Sequence, residues 1–265
     1  MSSLTEISRR LKARCDAING AAFLMPEVAT GFTDLGLGSA ASSLGGRAAC
    51  LGPVPGAVAA ALLVPIEPTT VAAAVDEAFA RSTPEELLAA RRKGATRFLE
   101  RKLGGTPPEV TRALVLLRPV VEAGPVAGHP VFAGLRAVPW PEDPLGQLWR
   151  ACEMVRERRG DSHRNAWLAA GVDPAEINVL TDAWRGPRPN GTTNTWPAEA
   201  QAAATERLRG RGLLAGDEIT DVGRSLRDEI EFATDRQEAA LVDALGDDAG
   251  ELLDLLTPWA SAVVS

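Results

Sequence analysis

Arg207-Leu208-Arg209-Gly210-Arg211-Gly212-Leu213-Leu214, continued by Ala215-Gly216-Asp217-Glu218 and Ile219-Thr220-Asp221-Val222-Gly223-Arg224, is the stretch on which the fold turns. Gly212 stops a helix that opens at Pro197. Leu213-Leu214 and Ile219-Thr220 flank a Gly216-Asp217 turn, which reads as a minimal β-hairpin. Thr220 then offers its hydroxyl as an N-cap. The helix it caps is expected from Asp221 to about Leu245, with Val222, Leu226, Ile230 and Ala233 along its buried stripe.

Working outward, Asp173 caps a short helix over Pro174–Trp184, and Ser162–Ala170 is a further short helix stopped by Gly171. Leu145–Arg159 carries Leu145, Leu148, Trp149, Cys152 and Val155 on one face and is expected to end at Gly160. A polar loop, Arg185–Thr195, precedes the Pro197 helix, and a last helix carries Leu252, Leu253, Leu255, Leu256 and Trp259. Toward the N-terminus, Leu4, Ile7, Leu11 and Ile18 mark a helix over Leu4–Asn19. Gly20–Gly56 reads as loop, with a short helix around Asp34–Leu44. Helices follow over Ala57–Leu63, Thr69–Ala80, from the Ser82-Thr83-Pro84-Glu85-Glu86 cap to Leu103, and from Val110 to about Glu122. The proline-rich Gly124–Pro144 closes this half. Alternating strand patterns are nearly absent.

Short helices, a tight hairpin and a long helix opening on Thr220 stand in the order of a winged helix-turn-helix of the MarR type. More of the chain resembles the actinobacterial SalK-type helix-turn-helix family. The likeness is carried by Leu148-Trp149-Arg150-Ala151, by Arg156-Glu157-Arg158-Arg159-Gly160-Asp161-Ser162-His163 and by Ala169-Ala170-Gly171. Gly46-Arg47-Ala48-Ala49 with Leu51-Gly52, Pro139-Trp140-Pro141 and the Arg227–Asp235 tail extend it over nearly the whole chain. Arg150 and Arg158 stand where that family tends to carry histidine, and Asn194–Glu199 departs from its Gly-Trp pattern. The resemblance implies an all-α protein with a small β-wing: an N-terminal helical domain over 1–143 and a MarR-like winged helix-turn-helix domain over 144–265.

Composition narrows the function. The chain has 265 residues, 45% hydrophobic and 24% charged, and a formal charge of −7, an ordinary globular balance that disfavours a general polyanion binder. Of its 28 basic residues only Lys12, Lys93 and Lys102 are lysine, and it has no tyrosine, a bias expected of a GC-rich genome. Cys15, Cys50 and Cys152 lie too far apart for a zinc motif or a disulfide framework. His129 and His163 are the only histidines, so no metal centre is expected. No phosphate loop or nucleotide fingerprint is present, and no cofactor is expected. The polar start and the lack of a long apolar run give a cytoplasmic protein with no membrane partner.

For a DNA reader the pattern is poor. The candidate recognition helix presents Glu199, Gln201, Thr205, Glu206, Arg209 and Arg211, and the wing tip Ala215-Gly216-Asp217-Glu218 is acidic, so DNA is not the expected partner. The densest polar constellation is Arg156, Arg158, Arg159, Asp161 and His163. Asp161 reads either as an N-cap after the Gly160 break or as the carboxylate orienting His163, the pair being catalytic only in an enzyme. Arg159 would attract an anion, and Arg47, in the Gly46–Ala49 stretch of the resemblance, is a further candidate ligand-binding residue. Trp140, Trp149, Trp167 and Trp184 cluster where the halves join and would line a cavity for a small apolar or aromatic metabolite. The function expected is small-molecule binding between two helical domains, with little DNA binding. A cofactor-independent enzyme of specialised metabolism and a ligand-responsive transcription regulator are the alternatives. Exposed leucines on the terminal helices point to a homodimer.

Overall fold

The computed structural model describes residues 3–20, 31–186 and 195–264. The expected Arg185–Thr195 loop, over 187–194, and the start of the Gly20–Gly56 loop, over 21–30, lie outside these residues. Helix α1 (Ser3–Gly20) is followed by a helical segment over 41–51, built of a π-helical turn, an α-helical turn and a 3-10 turn. Then come α2 (Gly56–Leu62), α3 (Pro68–Arg81), α4 (Pro84–Leu103) and α5 (Val110–Ala123). Thr83 caps α4 through a capping box with Glu86, as the Ser82–Glu86 stretch predicts. Inside the proline-rich stretch lies a helix that sequence reading misses, α6 (Pro130–Ala137).

The central element is α7 (Pro144–Ala169), 26 residues and so about 39 Å long. The expected break at Gly160 is absent. A glycine inside a helix costs about 1 kcal/mol relative to alanine. Here the neighbours Glu157, Arg158, Arg159, Asp161, Ser162 and Arg164 are all buried and bonded to residues outside α7, which outweighs that local cost. Helices α8 (Pro174–Arg185) and α9 (Ala198–Gly210) follow, then β1 (Leu214–Ala215) and β2 (Glu218–Ile219). The strands pair antiparallel, Leu214 opposite Ile219 and Ala215 opposite Glu218. Helix α10 (Asp221–Gln237) starts on the Thr220 cap, whose hydroxyl accepts from Gly223 N at 3.0 Å. It is shorter than expected, for the chain turns at Glu238 into α11 (Ala239–Leu245) before α12 (Ala249–Val264).

One large core joins both ends of the chain. Leu11, Cys15 and Ile18 of α1 meet Phe98 of α4, Leu117 of α5, Leu148, Trp149 and Cys152 of α7, and Leu252 and Leu256 of α12. This core therefore runs across the expected boundary at residue 143. Two smaller clusters hold the wing region: Trp167, Ile177 and Ile230, and then Leu180, Leu208, Leu213 and Leu214. Burying each such leucine is worth about 1.5–3 kcal/mol. The α12 leucines expected to build a homodimer are covered inside the subunit, Leu252 and Leu256 completely. Of the stripe on which that expectation rests, Leu4, Ile7 and Leu255 remain half-buried.

Candidate functional site

The second half of α7 has two chemically distinct faces. Arg156, Arg159, Gly160 and His163 recur at helical spacing and look into a cleft of ≈ 530 Å³ closed by α1, the 41–51 segment, α8 and α10. Arg158, Asp161 and Ser162 point to the other side. Residues two apart on a helix sit about 200° apart around its axis, so a continuous α7 separates Asp161 from His163.

The cleft wall is charged. Its cations are Arg9 and Lys12 from α1, Arg47, Arg156 and Arg159, Arg185 from α8 and Arg227 from α10, and its carboxylates are Asp16, Glu157, Asp182 and Glu231. The carboxylates are shared. Glu157 takes Arg47 Nη2 at 2.6 Å and also pairs with Arg156. Glu231 takes Arg227 Nη1 at 2.7 Å and Arg159 Nη2 at 3.1 Å. Behind the wall, buried Asp235 takes Arg9 and Arg159, each at 2.8 Å. Burial alone would raise both glutamates, but Arg47 and Arg156 hold Glu157 at about 2, and chiefly Arg227 does the same for Glu231. Burial, followed by the Arg227 charge, takes His163 down to about 4 against the opposing pull of Glu231, so its imidazole is neutral near pH 7. Its Nδ1 lies 3.3 Å from Thr234 Oγ1. Trp184 gives the cleft one aromatic wall, with the Arg227 guanidinium 4.7 Å from its ring and its Nε1 donating to Asp228 Oδ1 at 3.0 Å.

Of the residues singled out from sequence, Arg47, Arg159, His163 and Trp184 line the cleft. Asp161 does neither of the things expected of it. Its carboxylate accepts from Val131 N and Phe132 N, both at 3.1 Å, and pairs with Arg164 at 2.8 Å, so it caps α6 from across the core. No His163–Asp161 pair forms. Trp149 and Trp140 pack with the main core, beside Arg91 and Arg118 respectively, and Trp167 fills a cluster of its own. The indole-lined cavity is therefore replaced by a charged one. Arg9, Lys12, Arg185, Arg227 and Glu231 were missed, since they come from three separate helices. Arg227 and Glu231 at i,i+4 on the long helix were the available signal.

The second histidine and the Cys50 thiol are engaged away from the cleft. His129 Nε2 meets Ser162 Oγ at 2.9 Å, and Ser162 donates to Glu238 at 2.5 Å, a buried chain. Burial pushes the Cys50 thiol up to about 12, far from a reactive thiolate. Among the described residues no His, Cys, Asp and Glu group could hold a metal ion, and no helix is long and apolar enough to cross a membrane. On the wing side, α9 spends its arginines on neighbours. Arg207 pairs with Asp173 at 2.5 Å and Glu176 at 2.9 Å, Arg211 with Glu176 at 3.0 Å, and Arg209 with Asp217 of the wing turn at 2.9 Å.

Two helices, a minimal hairpin and a capped helix behind it define a helix-turn-helix protein with a lateral cationic cleft. The chain belongs to a helix-turn-helix family, whose model matches residues 8–265. No curated protein and no solved structure gives a significant match.

Proposed function

We propose that this helix-turn-helix protein binds a small organic anion in the cleft between α1, α7, α8 and α10, and that duplex DNA is at most a weak partner. The observation that carries this reading is the excess of cations lining one concave site in a protein of charge −7. A cleft lined by one sign of charge concentrates ligands of the other sign, and its size suits a small metabolite. Trp184 and Ile177 offer apolar surface for the organic part. This reading keeps the expected small-molecule role and the winged domain of MarR kind, but replaces an apolar ligand by an anionic one. The DNA part rests on α9 and its C-cap, where Arg207, Arg209 and Arg211 are each bound to carboxylates and would have to give these up to reach phosphate.

Indole fluorescence tests the reading, because Trp184 lines the cleft. Benzoate and phenyl phosphate are expected to change the emission saturably, with a Kd that rises with salt. Benzyl alcohol should not do so, and Trp184→Phe should remove the signal. Duplex DNA in the same buffer should bind no tighter than about 10⁻⁶–10⁻⁴ M at physiological salt. Equal response to the neutral alcohol, or nanomolar binding of duplex, would overturn the reading.

A further inference from the structure

We infer that the anion taken by this cleft is polyhydroxylated, a sugar acid or a sugar phosphate, whose hydroxyls donate to His163 Nε2 and Asn178 Oδ1. This deepens the anion-binding reading and rests on it. The two side chains come from α7 and α8, and both line the cleft. Each is locked as an acceptor by what its other atoms do. Thr234 Oγ1 donates its only proton to Ile230 O at 2.8 Å, so its oxygen accepts from His163 Nδ1–H at 3.3 Å. The neutral ring then carries its lone pair on Nε2. Asn178 Nδ2 donates to Pro65 O and to Pro174 O, both at 2.9 Å. That uses both amide hydrogens and fixes which end of the amide is oxygen. Neither Nε2 nor Oδ1 has a partner among the described residues. Nor is either sealed inside the protein, as the unpartnered polar atoms of Asn19 and Trp149 are. Both therefore open on the space of the cleft.

An acceptor in a site for anions rewards a ligand that brings its own protons, and the surrounding charge decides which kind of donor. Arg227, Arg159 and Arg185 all bear on His163, so an ammonium donor is repelled where a neutral hydroxyl is not. The carboxylates of the wall repel an anion, and Glu157 and Glu231 already hold arginines. The two neutral acceptors are thus the places for the ligand's hydroxyls. A single hydroxyl meets one of them at a time, whereas a polyhydroxylated chain or ring meets both. Sugar acids and sugar phosphates share that chemistry and differ only in the anionic group.

Isothermal titration of the full chain at pH 7.5 and matched ionic strength tests this with ligands paired by charge and length. Gluconate is set against hexanoate, glucose 6-phosphate against hexyl phosphate, and sorbitol supplies the hydroxyls without the charge. The hydroxylated member of a pair is expected to bind at least about fivefold tighter than its partner, as two added hydrogen bonds require. Sorbitol should not bind measurably. A preference in either pair supports the inference, and the pair that shows it identifies the anionic group as carboxylate or phosphate. His163→Ala and Asn178→Ala should each shrink the preference about two- to tenfold while leaving hexanoate and hexyl phosphate as they were, with the melting temperature confirming that each variant is folded. A preference undiminished in the folded double variant overturns the assignment to these two acceptors. Hexanoate and hexyl phosphate binding as tightly as their hydroxylated partners overturn the polyhydroxyl inference and leave the anion reading standing. Sorbitol binding as tightly as gluconate, or no binding by any of the anions, overturns the anion reading itself.

Discussion

Asp161 shows how one side chain changes meaning with the element around it. As an N-cap after a helix break it could be exchanged for Asn almost without loss, because Asn caps about equally well. In the continuous α7 it instead takes two backbone N–H groups of α6 on one oxygen and the buried Arg164 guanidinium on the other. An amide keeps a carbonyl for α6 but turns a neutral N–H₂ toward Arg164, leaving a buried cation unpaired. Asp161→Asn is therefore expected to destabilise the protein by about 3 kcal/mol, seen as a lower urea midpoint, with anion affinity in the cleft unchanged. A midpoint equal to wild type would return Asp161 to an ordinary cap. A lost affinity at unchanged stability would place it in the site after all.

Among the elements, the wing and its flanks were legible because their signals are local. Asp173, Gly212, the Gly216-Asp217 turn and Thr220 each act within a few residues, and all stand where expected. Gly223 belongs to the same stretch for a reason only the fold reveals. A Cβ there would lie 2.2 Å from Leu213 O and 2.9 Å from Ile219 Cγ1, since the first turn of α10 sits directly on the wing. Gly223→Ala should cost about 1–3 kcal/mol, measured as a drop of several degrees in melting temperature. A variant as stable as wild type would mean that the wing moves aside freely. Elements held by distant partners were not legible. The N-terminus of α6 is satisfied by Asp161, some thirty positions on, so no local cap announces it. Gly160 looks like a stop only if the buried bonds on both sides of it are unknown. The same applies to the site. Arg159 and His163 stood out as neighbours in sequence, but the cleft draws Arg9, Arg185 and Arg227 from helices that only the tertiary fold assembles.

At the scale of the whole molecule, the buried charges set how stability depends on pH. His163 is lowered to about 4 in the fold, so it contributes fully above the ordinary imidazole range and loses that contribution as pH falls from about 6.5 toward 4. Glu157 and Glu231 are lowered to about 2, so theirs is present above the usual carboxylate range and is lost as pH falls from about 4.5 toward 2. Burial raises Asp161 and Glu238, which work the opposite way in the acid range, but by smaller shifts. Melting temperature should thus begin to fall below pH 6.5 and fall further below 4.5, with His163→Gln reducing the slope of the upper part only, since His129 is also lowered by burial and contributes there. A flat profile from pH 7 to 3 would contradict the buried charge arrangement.

The packing of α12 on α1 also has a consequence for synthesis. Leu11, Cys15 and Ile18 leave the ribosome early, yet Leu252 and Leu256, which share their core, are translated some two hundred and forty codons later. At about 5–20 residues per second, the nascent chain carries an unfinished apolar surface for on the order of ten seconds or more. The first helices therefore emerge with apolar faces that chaperones can bind until the final turns of α12 arrive.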